Sequence, residues 1–152
     1  MEIEIKIVKK IDRKDFIRLN KEAGWWKEEY SKDLSFIDGM VKNAFCFAGA
    51  FCGNRLVGMG RSISDRVSDA YIQDVAVLKK FRRQGTGKKI ILKIIEYLEK
   101  HNIEWIGVVA EPGTQSFYED LGFKTLKKYK PMLFAAKASE NCHSRAGGNP
   151  KL

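Results

Sequence analysis

Between residues 78 and 88 the chain reads Leu78-Lys79-Lys80-Phe81-Arg82-Arg83-Gln84-Gly85-Thr86-Gly87-Lys88, and from Lys79 to Lys93 there are seven basic residues and no acidic one. A glycine-rich turn entering a helix presents backbone N–H groups at the positive end of the helix dipole. The glycines let that backbone come close to a ligand, and the combination suits phosphate oxygens. Just before the turn, Asp74 interrupts the apolar run Tyr71-Ile72-Gln73-Asp74-Val75-Ala76-Val77. A carboxylate in such a strand is costly unless something pairs with it. Asp74 is therefore a candidate base or ammonium anchor, with a hydrogen bond to a neighbouring turn as the structural alternative.

The elements that must position these groups follow from periodicity. Ile3, Ile5 and Ile7 alternate as a first strand, and Asp12 with Asp15 opens a helix through Phe16, Ile17 and Leu19 that ends near Gly24. A second helix, capped by Ser31, carries Leu34, Ile37, Met40, Val41 and Ala44 at three-to-four spacing. The apolar runs Phe45–Phe51 and Leu56–Ile63 flank the turn Cys52-Gly53-Asn54-Arg55, which reads as a hairpin. Tyr71–Val77 is a central strand. From Gly85 the period becomes helical, with Ile90, Ile94 and Leu98 in one stripe, and a strand follows at Trp105–Ala110. Strand, helix and strand of these lengths make a right-handed crossover between parallel neighbours. Pro112-Gly113 breaks the chain, a short helix runs over Thr114–Leu121, and Phe123–Phe134 reads as a final pair of strands interrupted at Pro131. Residues 1–136 form one domain, and 137–152, small and polar, read as a disordered tail.

The chain has 152 residues, 44% hydrophobic, with a net charge of +9. That fits one folded domain. No apolar run is long enough to span a bilayer, and Met1-Glu2-Ile3-Glu4-Ile5-Lys6 alternates where a signal peptide is uniformly apolar, so the expectation excludes transmembrane and secreted classes. Cys46, Cys52 and Cys142 are odd in number and match no disulfide or metal framework, and His101 and His143 are far apart. Reduced thiols in a cytoplasmic protein without a metal are expected. The basic excess asks for an anionic partner: nucleic acid, a membrane surface or a polyphosphate cofactor. Two known phosphate motifs fail, because Arg82 and Lys89 break the P-loop pattern and Ile90 breaks the dinucleotide fingerprint.

What remains, Arg82-x-x-Gly85-x-Gly87 directly after Val75-Ala76-Val77, resembles the coenzyme A signature of the GNAT superfamily of N-acetyltransferases. Phe117-Tyr118-Glu119-Asp120-Leu121-Gly122-Phe123 is similar to a second segment of that family, and the order of elements agrees over roughly residues 3–135. Lys79 stands where the family often has proline, and Glu111 where it often has asparagine. The resemblance implies an α/β (α+β) fold: a mixed, mostly antiparallel sheet with a central parallel strand pair and helices on both faces.

It further implies direct acetyl transfer from acetyl coenzyme A to an amine, small-molecule or protein. Pantetheine would pair along Val75, Ala76 and Val77, and pyrophosphate would lie on Arg82, Arg83, Gln84, Gly85, Thr86, Gly87 and Lys88. A backbone N–H near Val75 would hold the oxyanion, and Tyr118 would serve the departing thiolate. A phenol of pKa about 10 facing a thiol of about 8.5 makes full proton transfer uphill, so a hydrogen bond is the expected role. The amine's proton would go to Asp74 or, as second choice, Glu111, with Gln73 orienting water. The acceptor would approach from the first two helices, where residues 21–40 hold five acids against three lysines. Trp25, Trp26 and Tyr30 could frame its cation there, although helix packing explains at least one tryptophan. Two other classes compete: a basic nucleic-acid-associated module, disfavoured because aromatics do not interleave with the basic cluster, and a catalytically idle acyl coenzyme A sensor. No membrane partner is expected, and a homodimer stays compatible with the pattern.

Overall fold

The structure, a computed structural model, describes residues 1–134; the expected tail at 137–152, with Cys142 and His143, lies outside the described residues. Eight of the elements are β1 (Ile3–Ile7), α1 (Arg13–Ala23), α2 (Ser35–Asn43), β2 (Cys46–Cys52), β3 (Arg55–Ser64), β4 (Asp69–Val77), α3 (Thr86–Lys100) and β5 (Trp105–Val108). A short α4 (Gln115–Glu119) follows, and single 3-10 turns occupy Glu28–Lys32 and Lys79–Phe81. The five strands form one sheet in chain order, antiparallel except for the parallel β4–β5 pair. No described helix is long and apolar enough to cross a membrane.

Local chemistry sets the boundaries. The Asp12 carboxylate accepts the Lys14 N–H at 2.7 Å to start α1, and Gly24, at φ +78°, ends it. Asp33 accepts the Ser35 N–H at 2.9 Å, so it takes the capping role expected of Ser31, which lies inside the 3-10 turn. Between β3 and β4 the Asp65 carboxylate accepts the N–H groups of Val67, Ser68 and Asp69. Those bonds hold its pKa far below the usual carboxylate range.

α3 buries Ile90, Ile91, Ile94 and Leu98 against one face of the sheet. Gly60 permits that contact, since a Cβ there would lie 2.9 Å from Ile90 Cγ2 and 3.1 Å from Ile94 Cδ1. The opposite face carries α1, which packs on β3 and β4 with α2 beside it. Asp15 fastens α1: its buried carboxylate accepts from Arg55 Nε and from the Leu56 N–H, each at 2.9 Å, with Arg18 at 3.3 Å.

The C-terminal third departs from expectation. β5 stops at Val108 and α4 spans only Gln115–Glu119. Residues 123–134 form no strand: Leu126, Tyr129, Met132, Leu133 and Phe134 are all exposed, so the run finds no face to bury, and Pro131 removes a ladder donor.

Desolvation raises the Asp15 pKa, but the bonds from Arg55 and Leu56 outweigh it, and the folded value lies below the ordinary one. The stability this contributes is present above the unfolded carboxylate pKa of about 3.9 and is lost as pH falls through the folded value. Asp15→Asn should therefore cost about 1–2 kcal/mol in urea denaturation at pH 7, with the gap to wild type closing below about pH 4.

Candidate active site

β4 and β5 pair only from Asp69 opposite Trp105 to Ile72 opposite Val108, and β4 then continues to Val77. The parting has a local cause. Across β3 and β4, Met59 faces Ala76 and Arg61 faces Gln73, so Gly60 alone opposes both Asp74 and Val75. This is a β-bulge, which bends and twists the strand that carries the extra residue. Asp74 takes the left-handed conformation at φ +59°, tolerable for aspartate but not for a β-branched residue. Beyond it, alternate backbone groups of Val75–Val77 point away from β3 toward the gap. Val75, Ala76 and Val77 themselves have buried side chains, so the strand offers main chain there.

At the end of β4 the basic turn closes over the same gap. Arg82 Nε donates to the Val77 carbonyl at 2.7 Å, and the Gln84 amide to the Lys80 carbonyl at 3.1 Å. The Glu22 carboxylate of α1 accepts the Lys79 N–H at 2.8 Å. Gly85, at φ +77°, begins α3 without any side-chain cap, and a Cβ there would meet nothing within 4 Å. Arg83, Gln84, Gly85 and Lys88 are exposed while Thr86 is buried. This is an open cradle of helix N-terminal amides ringed by positive charge. Gly87 lies against α4, where a Cβ would sit 3.5 Å from Phe117 Cζ and 3.9 Å from Val77 Cγ2.

The next residue of α4 is Tyr118, buried between Phe117 at 5.2 Å and Phe123 at 5.5 Å, both edge-on. Burial, and after it the negative charge of half-buried Glu111, push its phenol well above the ordinary tyrosine pKa. Asp74 is buried and paired with Arg61, Nε to Oδ2 at 2.5 Å.

Residues 8–123 match the model of the acetyltransferase (GNAT) family. The chain belongs to that family. Its GNAT relatives include an uncharacterized N-acetyltransferase ycf52 of Gracilaria tenuistipitata var. liui, 32% identical over 73% of this chain and 61% of the relative. A histone acetyltransferase TAP1 of Glycine max is 32% identical over 75% of this chain and 52% of the relative. The chain thus spans about half to three-fifths of these curated relatives' lengths. Among solved structures, a probable acetyltransferase from Staphylococcus aureus superposes with a TM-score of 0.73 at 21% identity, covering 90% of this chain and all of that one. The aminoglycoside acetyltransferase AAC(6')-Iy, solved with a coenzyme A bisubstrate analogue, reaches 0.68 at 14%, covering 91% and 100%. These structural likenesses show the GNAT fold.

Within this fold the expected site residues divide. Val75–Val77, the turn Arg82–Lys88, and α4 with Tyr118 lie around one gap, with Glu111 near enough for its charge to act on the phenol. Trp25 and Trp26 do not make an open cage: Trp25 is buried, and Trp26 packs edge-on against Tyr30 at 5.6 Å and stacks on Phe36 at 6.3 Å. The Trp26 ring thus packs the linker onto α2. Two roles escaped sequence reasoning, that of Arg61, which holds the bulge, and that of Glu22, which ties α1 to the turn; Phe117, quoted within the second motif, shapes the Gly87 contact. Only Phe117 left a signal, being adjacent to Tyr118.

Replacing Arg61 removes the guanidinium that pairs with the buried Asp74 carboxylate. Arg61→Met should destabilise by about 2–4 kcal/mol, and Arg61→Lys by less. In a double-mutant cycle with Asp74→Asn the two losses should be clearly less than additive, read by chemical denaturation.

Proposed function

We propose that this GNAT protein transfers the acetyl group of acetyl coenzyme A to a primary amine. One observation carries the reading: the bulge at Asp74 parts β4 from β5 beside an uncapped, basic helix N-terminus and a buried tyrosine. The family supplies the class of reaction, and the chain's own residues fit its co-substrate. The uncapped start of α3, the open space above Gly85, and the exposed guanidinium of Arg83 suit a pyrophosphate. The main chain of Val75–Val77 suits the two amides of a pantetheine arm. Bound acetyl coenzyme A supplies an activated thioester.

Each residue then has a defined task. The Val75 N–H donates to the carbonyl oxygen as negative charge develops there, fixed in place by the bulge. Asp74, held by Arg61, is a positioning residue for that N–H. Tyr118 donates a hydrogen bond to the departing sulfur. With its pKa raised, full transfer to a thiolate of about 8.5 is more uphill than the roughly 1.5 units that ordinary phenol and thiol values give, so the bond stabilises charge and the proton follows late. Nitrogen attacks the carbonyl carbon, the C–S bond breaks, and the amine's proton leaves through water toward Glu111 or solvent.

An amine of pKa about 10.4 is about one part in 2,500 neutral at pH 7, and a carboxylate near the nitrogen helps it arrive and deprotonate. The acceptor is an amine of a small molecule or a protein; the histone and aminoglycoside enzymes among the relatives and neighbours are instances of each. Cytoplasmic location stays part of this proposal, while some curated relatives carry chloroplastic names.

Coenzyme A binding tests the cradle first. Gly87→Glu should abolish binding in calorimetry while the fold persists, because it sets a bulky negative group where the phosphates lie; unchanged affinity would refute the assignment. Tyr118→Phe should lower turnover by about a hundredfold or more with little change in coenzyme A affinity. Because the phenol's pKa is raised, wild-type kcat should show no loss from tyrosine ionisation as pH rises to about 10, measured by thiol release.

A further inference from the structure

On the sheet face opposite α3, three large apolar side chains stay open to solvent: Ile63 at 44%, Tyr71 at 47% and Trp105 at 42%. They are one surface. Gly58 and Gly60 of β3 face α3, so by alternation Met59, Arg61 and Ile63 face the other way. Ile63 pairs with Tyr71, and Tyr71 pairs with Gly107. The Tyr71 and Trp105 rings lie 5.1 Å apart at a tilt of 58°. A Cβ on Gly107 would fall 2.5 Å from Trp105 Cζ3 and 3.3 Å from Tyr71 Cε1, so the absent side chain lets both rings lie down on the sheet. Ring packing over a glycine explains the orientation of Trp105. It does not explain why three neighbouring apolar residues stay half open.

We propose that Tyr71 and Trp105 form an aromatic shelf that selects the acceptor, favouring amines with an aromatic ring along a flexible chain over amino sugars. The inference rests on the N-acetyltransferase reading. Tyr71 is three residues before Asp74 on the same strand, roughly 10 Å back along β4, and Arg61 and Ile63 on the neighbouring strand share its face. A nitrogen at the bulge therefore leaves the rest of the acceptor lying over Tyr71 and Trp105. Flat rings stack there and polyhydroxylated ones do not, because their hydroxyls would lose water without gaining partners.

The test compares butylamine, 4-phenylbutylamine and glucosamine as acceptors at saturating acetyl coenzyme A with the full chain. In wild type, kcat/KM for 4-phenylbutylamine should exceed that for butylamine by about tenfold, mainly through KM. Tyr71→Ala and Trp105→Ala should erase most of that ratio, and Tyr71→Phe should keep it. A ratio near one in wild type, a ratio unchanged by both alanine variants, or preference for glucosamine would overturn the shelf and leave N-acetylation standing. Acetylation of none of the three by a protein that binds coenzyme A would instead overturn the amine reading and the shelf with it. If an alanine variant does not fold, the Trp105 emission, taken as wild type minus Trp105→Phe, decides: 4-phenylbutylamine should shift it and butylamine should not, and equal responses refute the proposal.

Discussion

A single extra residue in β4 governs the arrangement of this molecule. Because Gly60 opposes both Asp74 and Val75, the strand cannot keep its pleat in step with β3, and its pairing with β5 covers only the four residues Asp69–Ile72 before the bulge. Most parallel neighbours in a sheet stay joined, which would consume the main-chain groups of Val75–Val77. Here those groups face a gap. The bulge is held by the Arg61–Asp74 pair, in which Asp74 is buried and Arg61 half-buried. A charge pair in such a place gains little net stability over an apolar substitute, but losing one partner is costly. Its effect is to make one register of β3 on β4 far better than the alternatives.

Positive charge collects on the turn and first turns of α3, where it adds to the helix dipole, while Glu111 acts on Tyr118 of α4 and Asp69 and Glu104 stand at the starts of β4 and β5. Tyr118 sits between these regions in a mostly apolar niche of Phe117 and Phe123, so burial keeps its proton in place. Burial and a nearby carboxylate act in the same direction on that phenol. A tyrosine tuned this way donates a hydrogen bond at any physiological pH, and its proton is costly to give away.

Rigidity comes from links between distant parts of the chain. Asp15 joins α1 to β3 through Arg55 and Leu56, and Glu22 joins the end of α1 to the Lys79 amide at the head of the basic turn. Through these two carboxylates one helix braces both the strand that carries Arg61 and the turn after β4. The aromatic packing of Trp26, Tyr30 and Phe36 fixes α2 beside it. Within the acidic segment these three rings pack on one another between the linker and α2.

Much of the fold was legible in the chain itself. Alternating isoleucines, the stripe of Ile90, Ile94 and Leu98, the Gly53-Asn54 turn and the Gly85-x-Gly87 helix start each report a local period or a local backbone need, and these are properties of a few adjacent residues. Tyr118 and the basic turn were legible for the same reason, as short motifs in a readable order. Tertiary structure alone decided the rest. Whether Asp74 was a lone carboxylate or half of an ion pair depended on which residue of β3 lay across from it, and that register is set by pairing between segments. Ser31 yields the cap to Asp33, and Trp25 is buried while Trp26 packs on Tyr30 and Phe36, because these contacts form between segments rather than within one. Residues 123–134 read as a pair of strands yet form none, since a strand needs a neighbour with an available edge and a face to bury, and neither is written in its own sequence.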